Sequence, residues 1–86
     1  MNISPLRGYT QRDFVIDYLT EKGPEGAFVA ELYRAWNLQA PLIGKRPGTY
    51  AGFRTLVYKM NKDGEIERFR EETCKYNYNR SYYRIR

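Results

Sequence analysis

Apolar residues recur at helical spacing in three stretches of this chain and then change to strand spacing. Thr10 followed by Asp13 forms a capping-box pattern, with Asp in place of the commoner Glu or Gln. Behind it, Phe14, Val15, Ile16, Tyr18 and Leu19 fill one broad arc at about 100° per residue. Asp13, Asp17, Thr20 and Glu21 take the other side. Gly23-Pro24 closes the pattern, with glycine where a left-handed cap is expected. The first helix is therefore predicted over 11–22.

Gly26-Ala27-Phe28 reads as a short extended segment. From Val29 the helical period returns, with Val29, Leu32, Tyr33 and Trp36 at i, i+3, i+4 and i+7 and Asn37 as the expected stop. Residues 37–48, NLQAPLIGKRPG, carry two prolines and two glycines and are predicted as a loop. Its Leu42-Ile43 is expected to tuck against the core while Lys45-Arg46 stays outside.

The third helix has the clearest pattern. Thr49 can cap it, Asp63-Gly64 ends it, and Phe53, Leu56, Val57 and Met60 define its buried stripe. The same wheel sends Ala51, Thr55, Tyr58 and Lys62 outward, with Arg54 and Lys59 on the flanks. Gly52 costs the first turn roughly 1 kcal/mol relative to alanine; it serves either a close backbone approach or tight packing. After Gly64 the period falls to two. Residues 65–70 around Ile66 and 81–86 around Tyr83 and Ile85 read as the strands of a hairpin with a long polar tip. Ile66 and Phe69 cannot share a face without a bulge.

Charge gives this pattern a direction. The 86 residues hold 15 Lys and Arg against 10 Asp and Glu, a net charge of +5. Residues 1–33 carry three basic and five acidic side chains, and residues 63–86 six and five. Residues 34–62 carry Arg34, Lys45, Arg46, Arg54, Lys59 and Lys62 and no acid at all. A 29-residue acid-free stretch that includes the outward face of a helix points to a polyanionic partner.

Composition then excludes several chemistries. A chain this short buries roughly 60–65% of its unfolded surface, enough for one modest core, so residues 1–86 are expected to form a single domain, with 1–9 as a flexible arm. With no histidine and one cysteine, Ser-His-Asp and Cys-His nucleophile systems lack their base, and no zinc-finger ligand set is available. No cofactor or metal is expected, and no enzyme; a tyrosine nucleophile is formally present but has no cluster of carboxylates around it. No apolar run approaches the ~20 residues of a membrane span, and the first residues lack the features of a secretory signal. The expected setting is cytoplasmic and reducing. Cys74 beside Lys75 has a neighbour that lowers a thiol pKa, although a lone loop cysteine is more often incidental.

The order helix, short extended segment, helix, helix, hairpin, together with FRTLVYKMNKDGEIERF leading into SYYRIR, resembles the winged helix-turn-helix family. The resemblance runs from about Thr10 to the end and implies an α+β fold: three helices plus a C-terminal β-hairpin wing. The connection between its second and third helices is longer than the usual three or four residues, which brings Lys45 and Arg46 within reach of a ligand. The resemblance further implies that the third helix enters the major groove of double-stranded DNA. Arg54, Thr55, Tyr58 and Lys62 are then the base-reading candidates. Lys45, Arg46 and Lys59 suit phosphates, as do the backbone N–H groups of the helix start at Thr49 and Tyr50. Lys75, Tyr76 and Arg80 belong to the wing, where an arginine suits a narrow minor groove.

The resulting expectation is a small transcriptional regulator acting as a monomer or weak homodimer. Two alternatives share the fold: a protein-interaction module in a nucleic-acid-processing assembly, and a single-stranded DNA or RNA binder using the tyrosine-rich wing. The acidic face of the first helix, Asp13, Asp17 and Glu21, is either simply solvated or receives a basic partner protein.

Overall fold

Thr10 starts the first helix as the pattern predicts. In a computed structural model of the chain, which describes residues 8–73 and 79–86, its hydroxyl accepts from the Asp13 N–H at 3.2 Å. The Asp13 carboxylate accepts from the Thr10 N–H at 2.9 Å. Two N–H groups that a helix start leaves without partners are thereby satisfied. α1 spans Gln11–Lys22 and leads into a 3-10 turn at Gly23–Glu25, then β1 at Ala27–Phe28 and α2 at Val29–Gln39. A second 3-10 turn at Ala40–Ile43, α3 at Tyr50–Lys62, β2 at Ile66–Thr73 and β3 at Asn79–Ile85 complete the order. The fold is α+β, three helices against an antiparallel sheet ordered β1-β3-β2.

The extended segment after α1 is thus a true strand. Ala27 pairs with Tyr83 and Phe28 with Tyr82, which ties the end of the chain to the gap between the first two helices. The hairpin strands run further toward the tip than the predicted 65–70 and 81–86. The bulge is present at Phe69: Arg68 pairs with Tyr83, and Arg70 with Tyr82 where strict alternation would give Ser81. It does not bring Phe69 beside Ile66, however. Ile66 enters the core, whereas Phe69 lies against Gly26 and beneath the Arg84 guanidinium, 4.5 Å from the ring centre.

Gly26 has a φ of +66°, and a methyl there would run into the Tyr83 carbonyl and the Phe69 ring. Gly26→Ala is therefore expected to cost roughly 2 kcal/mol or more, from backbone strain and overpacking together. Gly23→Ala has a similar φ of +67° but nothing within 4 Å of the added methyl, so it should cost about half as much, strain alone. Urea denaturation of the two variants checks the difference; equal costs would remove the role assigned to the Phe69 contact.

The core joins all the elements. Val15 and Leu19 of α1, Leu32 and Trp36 of α2, Phe53 and Val57 of α3 and Ile66 of β2 are almost wholly removed from solvent. Each such side chain contributes about 1.5–3 kcal/mol on burial. Tyr83 is buried with them, and Tyr18 and Tyr33 are half-buried against them. Tyr9, which the sequence assigns to a flexible arm, packs on the core, and its hydroxyl donates to Asp17 Oδ2 at 2.8 Å. Burial first, and then the Asp17 carboxylate, push its phenol up to about 12.

Two expectations about the 37–48 segment are corrected. Asn37 does not stop α2; its amide donates to the Tyr33 carbonyl one turn back, at 3.0 Å, and the helix continues to Gln39. Pro41 then sits in the first turn of the 3-10 segment, where a missing N–H leaves no bond unmade. Ile43 packs against the core, but Leu42 stands out at 75% exposure, because the 3-10 turn sends neighbouring side chains to different sides.

Candidate nucleic-acid interface

The start of α3 is held by residues far away in sequence. Trp36 Nε1 and Gln11 Nε2 both donate to the Pro47 carbonyl at 2.8 Å, and the Tyr33 hydroxyl donates to the Gly48 carbonyl at 2.7 Å. The Lys45 N–H donates to the Ala40 carbonyl at 2.8 Å. The segment carrying Lys45 and Arg46 is therefore anchored on both sides. Thr49 follows, its hydroxyl accepting from the Gly52 N–H at 3.1 Å; this cap employs the Thr49 side chain in holding the helix rather than a ligand. A methyl on Gly52 would lie 3.2 Å from that hydroxyl, so the small residue there makes room for the cap.

Burial of Phe53, Val57 and Met60 sets the rotation of α3. Ala51, Arg54, Thr55, Tyr58, Lys59 and Lys62 are left exposed, as the wheel predicts, and so is Tyr50. Arg54 lies between two rings, its guanidinium carbon 6.0 Å from the Tyr50 centroid and 5.9 Å from that of Tyr58. Tyr50 in turn meets the edge of Tyr33, with centroids 5.4 Å apart. These contacts restrict the Arg54 fork before any ligand arrives. The Thr55 hydroxyl donates to the Ala51 carbonyl at 2.9 Å, so it offers a ligand an acceptor oxygen and a methyl group. Lys45 is half-buried and Arg46 exposed.

Ion pairing separates the basic residues into two sets. Among the described residues, Arg12 pairs with Glu65, Lys22 with Glu31 at 3.1 Å, and Arg84 with Glu67 at 2.6 Å. Arg68 with Glu71 and Arg80 with Glu72 stand at 4.0 Å. None of these pairs draws on Arg34, Lys45, Arg46, Arg54, Lys59 or Lys62. Among the described residues, the acid-free stretch of sequence is also free of acidic partners in space.

No family model, curated protein or solved structure matches the chain. Its function is to be read from the site itself.

Of the three hairpin candidates, Arg80 alone falls among the described residues. Lys75 and Tyr76, like Cys74 and Tyr78, lie outside the described residues. Arg80 is stacked over the Phe28 ring at 4.2 Å and faces Glu72. It is one of three such stacks on this sheet among the described residues, with Arg70 over Tyr82 at 4.0 Å and Arg84 over Phe69. Arg34 and Arg70 are exposed basic residues that the predicted site did not include. Arg34 is an exposed α2 side chain inside the acid-free stretch, and that membership was the available signal. Arg70 owes its place to the bulge, which alternation alone does not foretell. Among the described residues, no group of three or more His, Cys, Asp or Glu could hold a metal ion, and no helix is long and apolar enough to cross a membrane.

Proposed function

We propose that this chain is a winged-helix DNA-binding domain, the binding part of a small transcriptional regulator. In this reading α3 enters the major groove and the hairpin follows the backbone or the minor groove. The observation that carries it is the set of six basic side chains at 34–62 that no described acid neutralises. Charges left unpaired on a clamped, well-capped helix and its leading loop are available for phosphates without first breaking an internal pair. Arg54 and Lys62 take the role of reading guanine acceptors, and Thr55 that of meeting a base edge or a thymine methyl. Lys45, Arg46 and Lys59 take the phosphates.

A protein-interaction module on the same fold is the competing reading, favoured by Leu38 and Leu42, exposed at 74% and 75%. Binding to random-sequence duplex DNA across a salt series separates the two. Phosphate contacts predict that log affinity falls with log salt by about 0.9 per neutralised phosphate. A flat dependence, or no binding at low salt, rejects the DNA reading.

A further inference from the structure

A second charged surface lies on α1 and shares no residue with the proposed DNA-binding face. A groove of about 460 Å³ runs along this helix, and Gln39 borders it from the end of α2. Phe14 and Tyr18, one turn apart with ring centroids at 5.8 Å, give it an apolar wall. Asp17 and Glu21, also one turn apart, line it as exposed carboxylates. Like charges at i and i+4 destabilise a helix unless a cation lies beside them. Neither carboxylate has such a cation among the described residues. Lys22 borders the groove, but its Nζ is paired with Glu31 of α2 at 3.1 Å. The Tyr9 hydroxyl donates to Asp17 Oδ2 at 2.8 Å; that bond orients the carboxylate, keeps its charge and leaves Oδ1 for a further donor. An apolar wall beside two unneutralised carboxylates fits a long basic side chain, whose methylene stem packs on the rings while its charged head meets the acids.

We propose that this groove is a docking site for an arginine or lysine side chain of a partner protein. It is independent of the DNA-binding reading and would leave the basic face open while occupied. Charge complementarity selects a cation, and Leu42 selects a protein as its carrier. Leu42 is 75% exposed and lies one turn beyond Gln39, so a chain that sets its basic residue in the groove has apolar surface to cover next to it. A small free cation would leave that leucine in water.

The test is an NMR titration of the isotope-labelled protein with three probes. These are a short amphipathic peptide of arginine and leucine, the same peptide with glutamine for arginine, and a single arginine blocked at both ends. The arginine peptide should saturate with shifts centred on Tyr9, Asp17, Tyr18 and Glu21. It should bind roughly tenfold tighter than the glutamine peptide, the effect of one hydrogen bond to a charged group, and tighter again than the single arginine. Asp17→Asn combined with Glu21→Gln should abolish the advantage of arginine over glutamine and leave the salt slope of duplex binding unchanged. Should that pair fail to fold, Glu21→Lys tests the same site at an exposed position and should abolish the advantage too. Leu42→Ala should weaken the arginine peptide severalfold and leave the single arginine as it was. Equal binding of the two peptides, an advantage that survives the substitutions, or shifts spread over other exposed acids such as Asp63 and Glu71 overturns the proposal. A single arginine that binds as tightly as the peptide overturns the protein occupant in favour of a small cation. None of these outcomes touches the DNA-binding reading, which stands or falls on the salt series.

Discussion

Trp36→Ala is expected to cost about 3–5 kcal/mol, the loss of a large buried aromatic side chain and the cavity it leaves. A domain of this size is stable by only about 4–13 kcal/mol, so a large part of the population should unfold under mild denaturant. Trp36 is 1% exposed, and its ring lies 5.2 Å from that of Phe14, centre to centre. Its indole N–H also holds the Pro47 carbonyl, so the substitution removes both the packing between α1 and α2 and one clamp on the start of α3. Trp36→Phe separates these effects. It keeps most of the volume and leaves the Pro47 carbonyl with Gln11 as donor, so it should lose only about 1 kcal/mol. Combining it with Gln11→Ala removes both donors, and the pair should cost more than the sum of the singles by about 0.5–3 kcal/mol. Urea melts of the four proteins measure this coupling. Strict additivity would show that the shared carbonyl is not what joins α1, α2 and the loop.

Replacing Lys45, Arg46 and Lys59 together by Ala should lower the slope of log affinity against log salt by about 2.7, three phosphates at about 0.9 each. All three lack acidic partners among the described residues, so their removal exposes no buried countercharge and stability should stay within about 0.5 kcal/mol of the natural protein. Arg54→Ala should behave differently. Its fork is held between Tyr50 and Tyr58, so it should cost about 1–3 kcal/mol at a preferred site, relax the sequence preference there, and change random-sequence binding far less. Titrations on a selected site and on random duplex at several salt concentrations distinguish the two behaviours. An unchanged slope in the triple variant would place the phosphate contacts elsewhere. An Arg54→Ala loss that is equal on both DNAs would make Arg54 a phosphate contact and not a reader of bases.

How far the molecule can be read before it folds differs from element to element. The limits of α1 and α3 follow from Thr10, Asp13, Gly23, Thr49 and Gly64, because a cap joins groups three or four residues apart and needs nothing else to be in place. The outward face of α3 follows equally from the spacing of Phe53, Val57 and Met60. The segregation of charge is likewise plain in the order of residues, since it is only a matter of which side chains occur between 34 and 62. Other features depend on contacts between distant parts of the chain. The two-residue strand Ala27–Phe28 becomes a strand only when Tyr83 and Tyr82 lie beside it, and Ala and Phe alone carry no sign of that partner. Leu42, apolar but exposed, and Tyr9, near the end but packed, show that hydropathy does not say which apolar groups the core has room for. Gln11, Tyr33 and Trp36 converge on Pro47 and Gly48 only after both helices have packed. The same holds for the charges. Composition shows that basic residues are in excess, but only packing pairs Arg12 with Glu65 and Arg84 with Glu67 while leaving Arg54 and Lys59 without an acidic partner among the described residues. Caps and periodicity act over a single helical turn and are written in adjacent residues; pairing, register and grooves are set by distances across the core, which exist only in the folded chain.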